Sequence, residues 1–176
     1  MTNIAVIIAE DFEDNEYSKP AEAFKSAGYT LTHIGLSREG TVHGKHHMVS
    51  VKTDKSFSDV ESLDFDALFI PGGYSPDRLR IDSSAVSFVE RFVKSNKPVF
   101  AICHAPQILI TAGVLKGRTV TGWKSIEQDI KNAGAKFIDS EVVKDGNLIS
   151  SRSPHDIPAF IDACLRMLAE VSSSRT

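Results

Sequence analysis

Short apolar runs alternate with amphipathic segments along the whole chain. Asn3 to Ile8 (NIAVII) is a continuous run rich in β-branched residues, the pattern of a strand covered on both faces. Tyr17 to Ala27 then places Tyr17, Ala21, Phe24 and Ala27 on one helical face, and Gly28 stands where a helix C-cap belongs. Thr30 to Gly35 predicts a second strand, Phe65 to Ile70 (FDALFI) a third and Pro98 to Ile102 (PVFAI) a fourth. The polar stretch from Thr41 to Phe57 predicts short strands or a hairpin on the sheet edge. Asp82 or Ser83 is placed to cap a helix with Ala85, Phe88, Val89, Phe92 and Val93 on its inner face.

The same alternation continues to the end. His104 to Ala112 predicts a helix closed by Gly113, Arg118 to Thr121 a strand, and Lys124 to Ala133 a helix. Phe137-Ile138, Glu141 to Lys144 and Leu148 to Ser151 predict short strands, the last pair joined through Asp145-Gly146, a strong hairpin signal. Pro154 to Val171 predicts a closing helix, with a frayed tail over 172–176. Strands that alternate with helices in this way predict a single α/β domain over 1–171, a mostly parallel sheet with helices on both faces.

Composition narrows the class. The 176 residues are 24% charged, with a formal net charge of -3, so the strong basic footprint of a dedicated nucleic-acid binder is missing. No apolar run is long enough to span a membrane, and MTNIAVIIAEDFED lacks a basic n-region and reads as a strand, so a cytoplasmic protein is expected. Two cysteines, Cys103 and Cys164, are too few for a disulfide framework.

Sites in such sheets form beyond the carboxyl ends of the strands. The first turn lacks G-x-G-x-x-G and carries five carboxylates between Glu10 and Glu16, which would repel a pyrophosphate, and no Walker-type loop occurs. The fourth strand delivers Ala101-Ile102-Cys103-His104-Ala105. A nucleophile on a sharp strand-to-helix turn needs small neighbours two residues before and after it, and Ala101 and Ala105 fill those places. At a helix N-terminus the Cys103 thiol is expected to have a depressed pKa, about 3.5–7.5. The third strand ends in Pro71-Gly72-Gly73, whose amides, with the His104 N–H, are candidates for an oxyanion hole. Glu16, crowded by Glu13 and Asp14, is expected to be protonated and able to donate to the Cys103 sulfur.

The segments FEDNEYSKP (12–20), IPGGYSPDRLR (70–80), AICHAPQILITAGVLKGRTVTGW (101–123) and SEVVKDGNLISSRSP (140–154) resemble the ThiJ/PfpI superfamily, in order and over nearly the whole chain. They are most similar to its PfpI-like branch of bacterial intracellular proteases and general stress proteins. The resemblance implies a flavodoxin-like three-layer sandwich with a nucleophile elbow. It implies Cys103 as the reactive cysteine, His104 as the general base and Glu16 as the acid contacting the sulfur. It places Asp77 as the third member of a triad, acting from a neighbouring subunit, and Gly73 with the His104 N–H at the oxyanion. A homodimer or higher oligomer follows from the same resemblance. The chain departs from the usual C-H-G-P at Ala105, which requires that residue to avoid positive φ. Trp123 replaces a tyrosine thought to line the site, so substrate preference does not carry across.

The reaction expected is attack of Cys103 on a carbonyl or acyl carbon: breakdown of small reactive carbonyls and glycated or damaged proteins, or hydrolysis of peptides. The competing reading is a redox-sensing or chaperone-like stress protein whose Cys103 is oxidised. A class I amidotransferase shares the elbow, but the chain has no downstream H-x-E pair. Cofactors and metals are not expected. His43, His46 and His47 read as a solvated loop, His33 as a core histidine, Cys164 as core filler, and His155 with Asp156 as a cap of the last helix.

Overall fold

The computed structural model describes residues 2–175. The first half runs β1 (Asn3–Ile7), α1 (Asp14–Ser26), β2 (Thr30–Gly35), β3 (Thr41–His43), β4 (Ser50–Lys52), β5 (Lys55–Ser56), β6 (Ala67–Ile70), α2 (Ser75–Leu79) and α3 (Ser83–Lys94). The second runs β7 (Val99–Ile102), α4 (Pro106–Thr111), β8 (Thr119–Val120), α5 (Glu127–Asn132), β9 (Lys136–Phe137), β10 (Val143–Asp145), β11 (Leu148–Ser151) and α6 (Ile157–Ser174). Seven strands form the central sheet in the order β10-β11-β7-β6-β1-β2-β5, parallel except where β10 turns back against β11. The fold is the flavodoxin-like α/β sandwich.

Alternation along the central strands explains the layers. In β1, Ile4 and Val6 face α1 and α6, while Ala5 and Ile7 face the layer that contains α3, α4 and α5. Both sets are fully buried, so the strand reads as an unbroken apolar run. The predicted inner face of α3 is buried as expected, and Asp82 rather than Ser83 caps it, its Oδ1 accepting from the Ala85 N–H at 2.8 Å. On the other face Phe24 meets Phe69 edge-on at 5.6 Å between ring centroids, about 0.5–1.5 kcal/mol beyond burial alone. Cys164 is sealed in this second layer.

Several boundaries differ from the sequence expectation, each for a local reason. The first helix starts at Asp14 because Glu13 caps it, its Oε2 accepting from the Glu16 N–H at 2.7 Å. The helix expected from His104 begins only at Pro106, since residues 103–105 form the turn. β8 pairs with β9 outside the main sheet, and 124–126 forms a 3-10 turn before α5. α6 runs on through Ser174, past the Val171 boundary; Thr176 lies outside the described residues. Asp156 occupies the N-cap position of α6 as expected but makes no side-chain cap bond there: its carboxylate accepts from the Arg152 guanidinium at 2.9 Å, and His155 is exposed. The Asp145-Gly146 hairpin forms as predicted, with Gly146 at φ 56°. No described helix is long and apolar enough to cross a membrane.

Candidate active site

The carboxyl ends of β1, β6 and β7 meet at one point. Cys103 follows β7 with φ 64°, in the left-handed region that an L side chain adopts at a cost. The turn is held by Cys103 N–H donating to Ser151 O (3.0 Å), Ala105 N–H to Ile102 O (3.1 Å) and Trp123 N–H to Cys103 O (2.8 Å). Ala101 and Ala105 are completely buried beneath it, and Ala105 sits at φ -53°, so it meets the condition set by the absent glycine. The sulfur-bearing residue is 7% exposed, close to the surface but not open to it.

The Cys103 Sγ lies 3.3 Å from His104 Nδ1, and His104 Nε2 lies 3.4 Å from the Ser125 hydroxyl. This arrangement fits the tautomer with Nε2–H donating to Ser125 and Nδ1 free to accept from sulfur. Burial holds the half-buried His104 below the ordinary histidine value, Lys45 adds to this, and Asp77 opposes it. The ring is therefore neutral at pH 7.

Glu16 is completely buried, and neither carboxyl oxygen has a hydrogen bond of ordinary geometry. The carboxyl faces the Cys103 sulfur and the Gly72 amide. Burial first, and then the Glu13 charge, push its pKa up to about 8. The expected crowding by Glu13 is present, whereas Asp14 turns away to bind backbone amides. At pH 7 Glu16 is neutral and carries a proton that it can donate.

The thiol behaves otherwise than its place at a helix end predicts. Burial pushes the Cys103 thiol up from its ordinary value, the Glu16 carboxylate adds to that, and the amides of His104 and Gly73 pull it back only in part. The six-residue α4 starts three residues later, and its dipole is too short and too distant to win. The resting state is a thiol with a base beside it. A preformed thiolate is not favoured.

The glycine pair divides its work. Gly73, at φ 75°, aims its amide at the sulfur together with the His104 amide. Gly72 is turned toward Glu16 instead, so the expected contribution of its amide to an oxyanion hole is not found. A Cβ on Gly72 would fall onto Glu16 Oε1 and within 2.8 Å of the Cys103 Cβ. Asp77 lies exposed in the first turn of α2 and acts on His104 through space, with no hydrogen bond to it within the chain. Trp123 stands beside His104 at 6.5 Å between ring centroids and opens a cleft of about 270 Å³ with Lys124, Phe137 and Arg152. A larger groove of about 540 Å³, beside Leu36 and Ile81, touches none of the residues around the sulfur.

Sequence reasoning missed Ser125, which no motif marks, and Lys45, hidden in a polar loop. His43 and His46 pair with Glu10 (3.1 Å) and Glu13 (3.7 Å) at separate points, as a solvated loop would. His33 is held in the core between the Tyr17 hydroxyl (2.8 Å) and Asp54 (3.3 Å).

Residues 2–167 match the sequence profile of the DJ-1/PfpI family. General stress protein 18 of Bacillus subtilis (strain 168) is 52% identical over 166 residues, 94% of this chain and 96% of its own. Protein/nucleic acid deglycase 2 of Escherichia coli (strain K12) is 51% identical over the same length and shares. Among solved structures, a two-domain Anabaena variabilis protein with DJ-1/ThiJ/PfpI-like and ferritin-like domains superposes with a TM-score of 0.94 at 36% identity. That match covers 96% of this chain and 48% of the solved one.

Proposed function

The chain belongs to the DJ-1/PfpI family, and from that footing we propose that it is a cysteine-dependent enzyme that removes reactive carbonyls and their early adducts on proteins. The observation that carries the reading is the Cys103 sulfur set 3.3 Å from a neutral His104, between two amides and a protonated Glu16. His104 Nδ1 takes the thiol proton as Sγ bonds to the aldehyde carbon. The carbonyl π pair moves to oxygen, where the Gly73 and His104 amides hold it, and the imidazolium returns the proton to give a hemithioacetal. For a 2-oxoaldehyde, transfer of the C1 proton to C2 yields a thioester, and water then releases the 2-hydroxy acid and the thiol.

Activation by a base at the moment of attack suits a thiol whose burial disfavours the resting anion. The same fact ranks the redox-sensor reading second, since peroxide oxidises a standing thiolate. The close surround of Cys103, 7% exposed, suits a short carbonyl better than an extended peptide. The test is methylglyoxal consumption beside cleavage of an unstructured peptide, in the wild type and Cys103→Ala. The expected result is carbonyl loss by the wild type alone. Full consumption by Cys103→Ala would overturn the proposal, and peptide cleavage without carbonyl loss would replace it by the peptidase reading.

A further inference from the structure

Attack by Cys103 requires a His104 ring held in one orientation, with Nδ1 bare toward the sulfur and the ring proton on Nε2. The sulfur sets half of that demand. It receives donors from the His104 and Gly73 amides and from the protonated Glu16 carboxyl, so the direction left for its own proton is Nδ1, 3.3 Å away. Nε2 then carries the ring hydrogen and needs an acceptor. Among the described residues, the side-chain oxygen within reach of Nε2 is the Ser125 hydroxyl at 3.4 Å. Asp77, the acid expected to hold the ring, makes no hydrogen bond to it within the chain.

The segment that carries Ser125 is built onto the elbow. Trp123 N–H donates to Cys103 O at 2.8 Å, and Ile126 N–H donates to Trp123 O at 3.0 Å, closing the turn over 124–126. So close an approach needs a bare Cα one residue earlier: a Cβ on Gly122 would stand 3.0 Å from Cys103 O and 3.1 Å from Pro106 Cγ. Upstream, the buried Thr121 N–H donates to the Ser150 hydroxyl at 3.0 Å. Downstream, Ile126 is buried in the layer that contains Ala105 and Ile108. Ser125 therefore rides on a turn pinned at both ends, at one of them to Cys103 itself. The Trp123 ring flanks the imidazole at 6.5 Å between centroids.

We infer that Ser125 is a positioning residue for His104: its hydroxyl accepts from Nε2–H, fixes the ring with Nδ1 toward the sulfur, and completes a Cys103–His104–Ser125 set within a single chain. This rests on His104 as the base of the proposed carbonyl reaction, and the experiment separates the two. A hydroxyl differs from the carboxylate of a Ser-His-Asp triad in one useful respect. It orients the ring without adding a negative charge, so the imidazolium formed on attack is less stabilised and returns its proton to the oxyanion more readily.

Ser125 is exposed, so its replacement probes the ring and leaves the fold in place. Ser125→Ala is expected to slow iodoacetamide alkylation of Cys103 at neutral pH about fivefold. The label is assigned by mass spectrometry, and Cys164 is buried. In the same variant kcat for methylglyoxal should fall by a similar factor with KM unchanged, and Ser125→Thr should restore both rates. Ser125→Asp puts a carboxylate against Nε2, and NMR titration of His104 should then show its proton affinity raised about tenfold. Lys45 and Asp77, the other charged groups that act on the ring, are the same in both proteins. Wild-type alkylation and kcat in Ser125→Ala overturn the inference, as does a Ser125→Thr as slow as Ser125→Ala. A His104 titration that Ser125→Asp leaves in place overturns it too, because the side chain is then out of reach of Nε2. A raised KM with kcat intact does the same, marking a substrate contact in place of a held base. Wild type that consumes no methylglyoxal would overturn the carbonyl reaction, while alkylation and the titration, which need no turnover, still decide the role of Ser125.

Discussion

Replacing Glu16 by glutamine removes one ionisation from the centre of the fold while keeping the shape of the side chain. Burial and the Glu13 charge raise the folded carboxyl from 4.5 to about 8. Below pH 4.5 it is protonated in both the folded and unfolded chain, and the stabilisation is fully present. Above that, the unfolded chain loses its proton first, so stability falls as pH rises, by about 1.4 kcal/mol per pH unit. The loss levels off beyond the folded value of about 8 after a total of about 5 kcal/mol. Glu16→Gln lacks this slope, and other groups titrate alike in both proteins. Urea unfolding of the two from about pH 5 to about pH 8 should therefore give a stability difference that tilts against the wild type with rising pH. A flat difference curve would mean that Glu16 ionises normally in the folded protein, and the protonated donor beside the sulfur would be lost from the mechanism. The same variant should lower the midpoint of Cys103 alkylation, because the removed carboxylate holds the thiol up. An unmoved midpoint would refute the contact.

Gly72→Ala drives a Cβ between Glu16 and Cys103. It should cost about 1–3 kcal/mol in urea and at least about tenfold in methylglyoxal consumption, and wild-type behaviour would refute the close approach. Asp77→Asn removes a group that raises the His104 pKa, so the acid limb of the pH–rate profile should move to lower pH. A limb that stays in place removes Asp77 from the site's electrostatics. Phe88→Ala opens a cavity where α3 meets the sheet; the expected loss is about 3–5 kcal/mol in urea unfolding. A loss below about 1 kcal/mol would deny that this face is the principal core.

The central strands are legible because a strand buried on both sides leaves little choice of residue, and NIAVII, FDALFI and PVFAI each mark one. The elbow is legible from the two alanines that crowd Cys103. What stays hidden depends on contacts distant in sequence. The acids between Glu10 and Glu16 read as one repulsive block, yet each acquires its own partner once folded: His43, Arg78, the helix cap, the 46–49 amides and the sulfur. Ser125 reaches the site, and Lys45 acts on it through space, from loops whose sequence carries no motif. The direction of the thiol shift escapes a reading of the chain, because a local rule about helix ends cannot weigh the desolvation imposed by the surrounding fold.

The left-handed backbone at residue 103 imposes a penalty of about 1 kcal/mol or more on every folded copy, one that glycine would escape. Laboratory evolution rewarded for heat resistance alone would thus drift toward glycine there, ending in a hardier scaffold with nothing left to react. Screens of this protein for robustness need a second sieve that counts free sulfhydryls, or the fittest clone by melting will be the inert one.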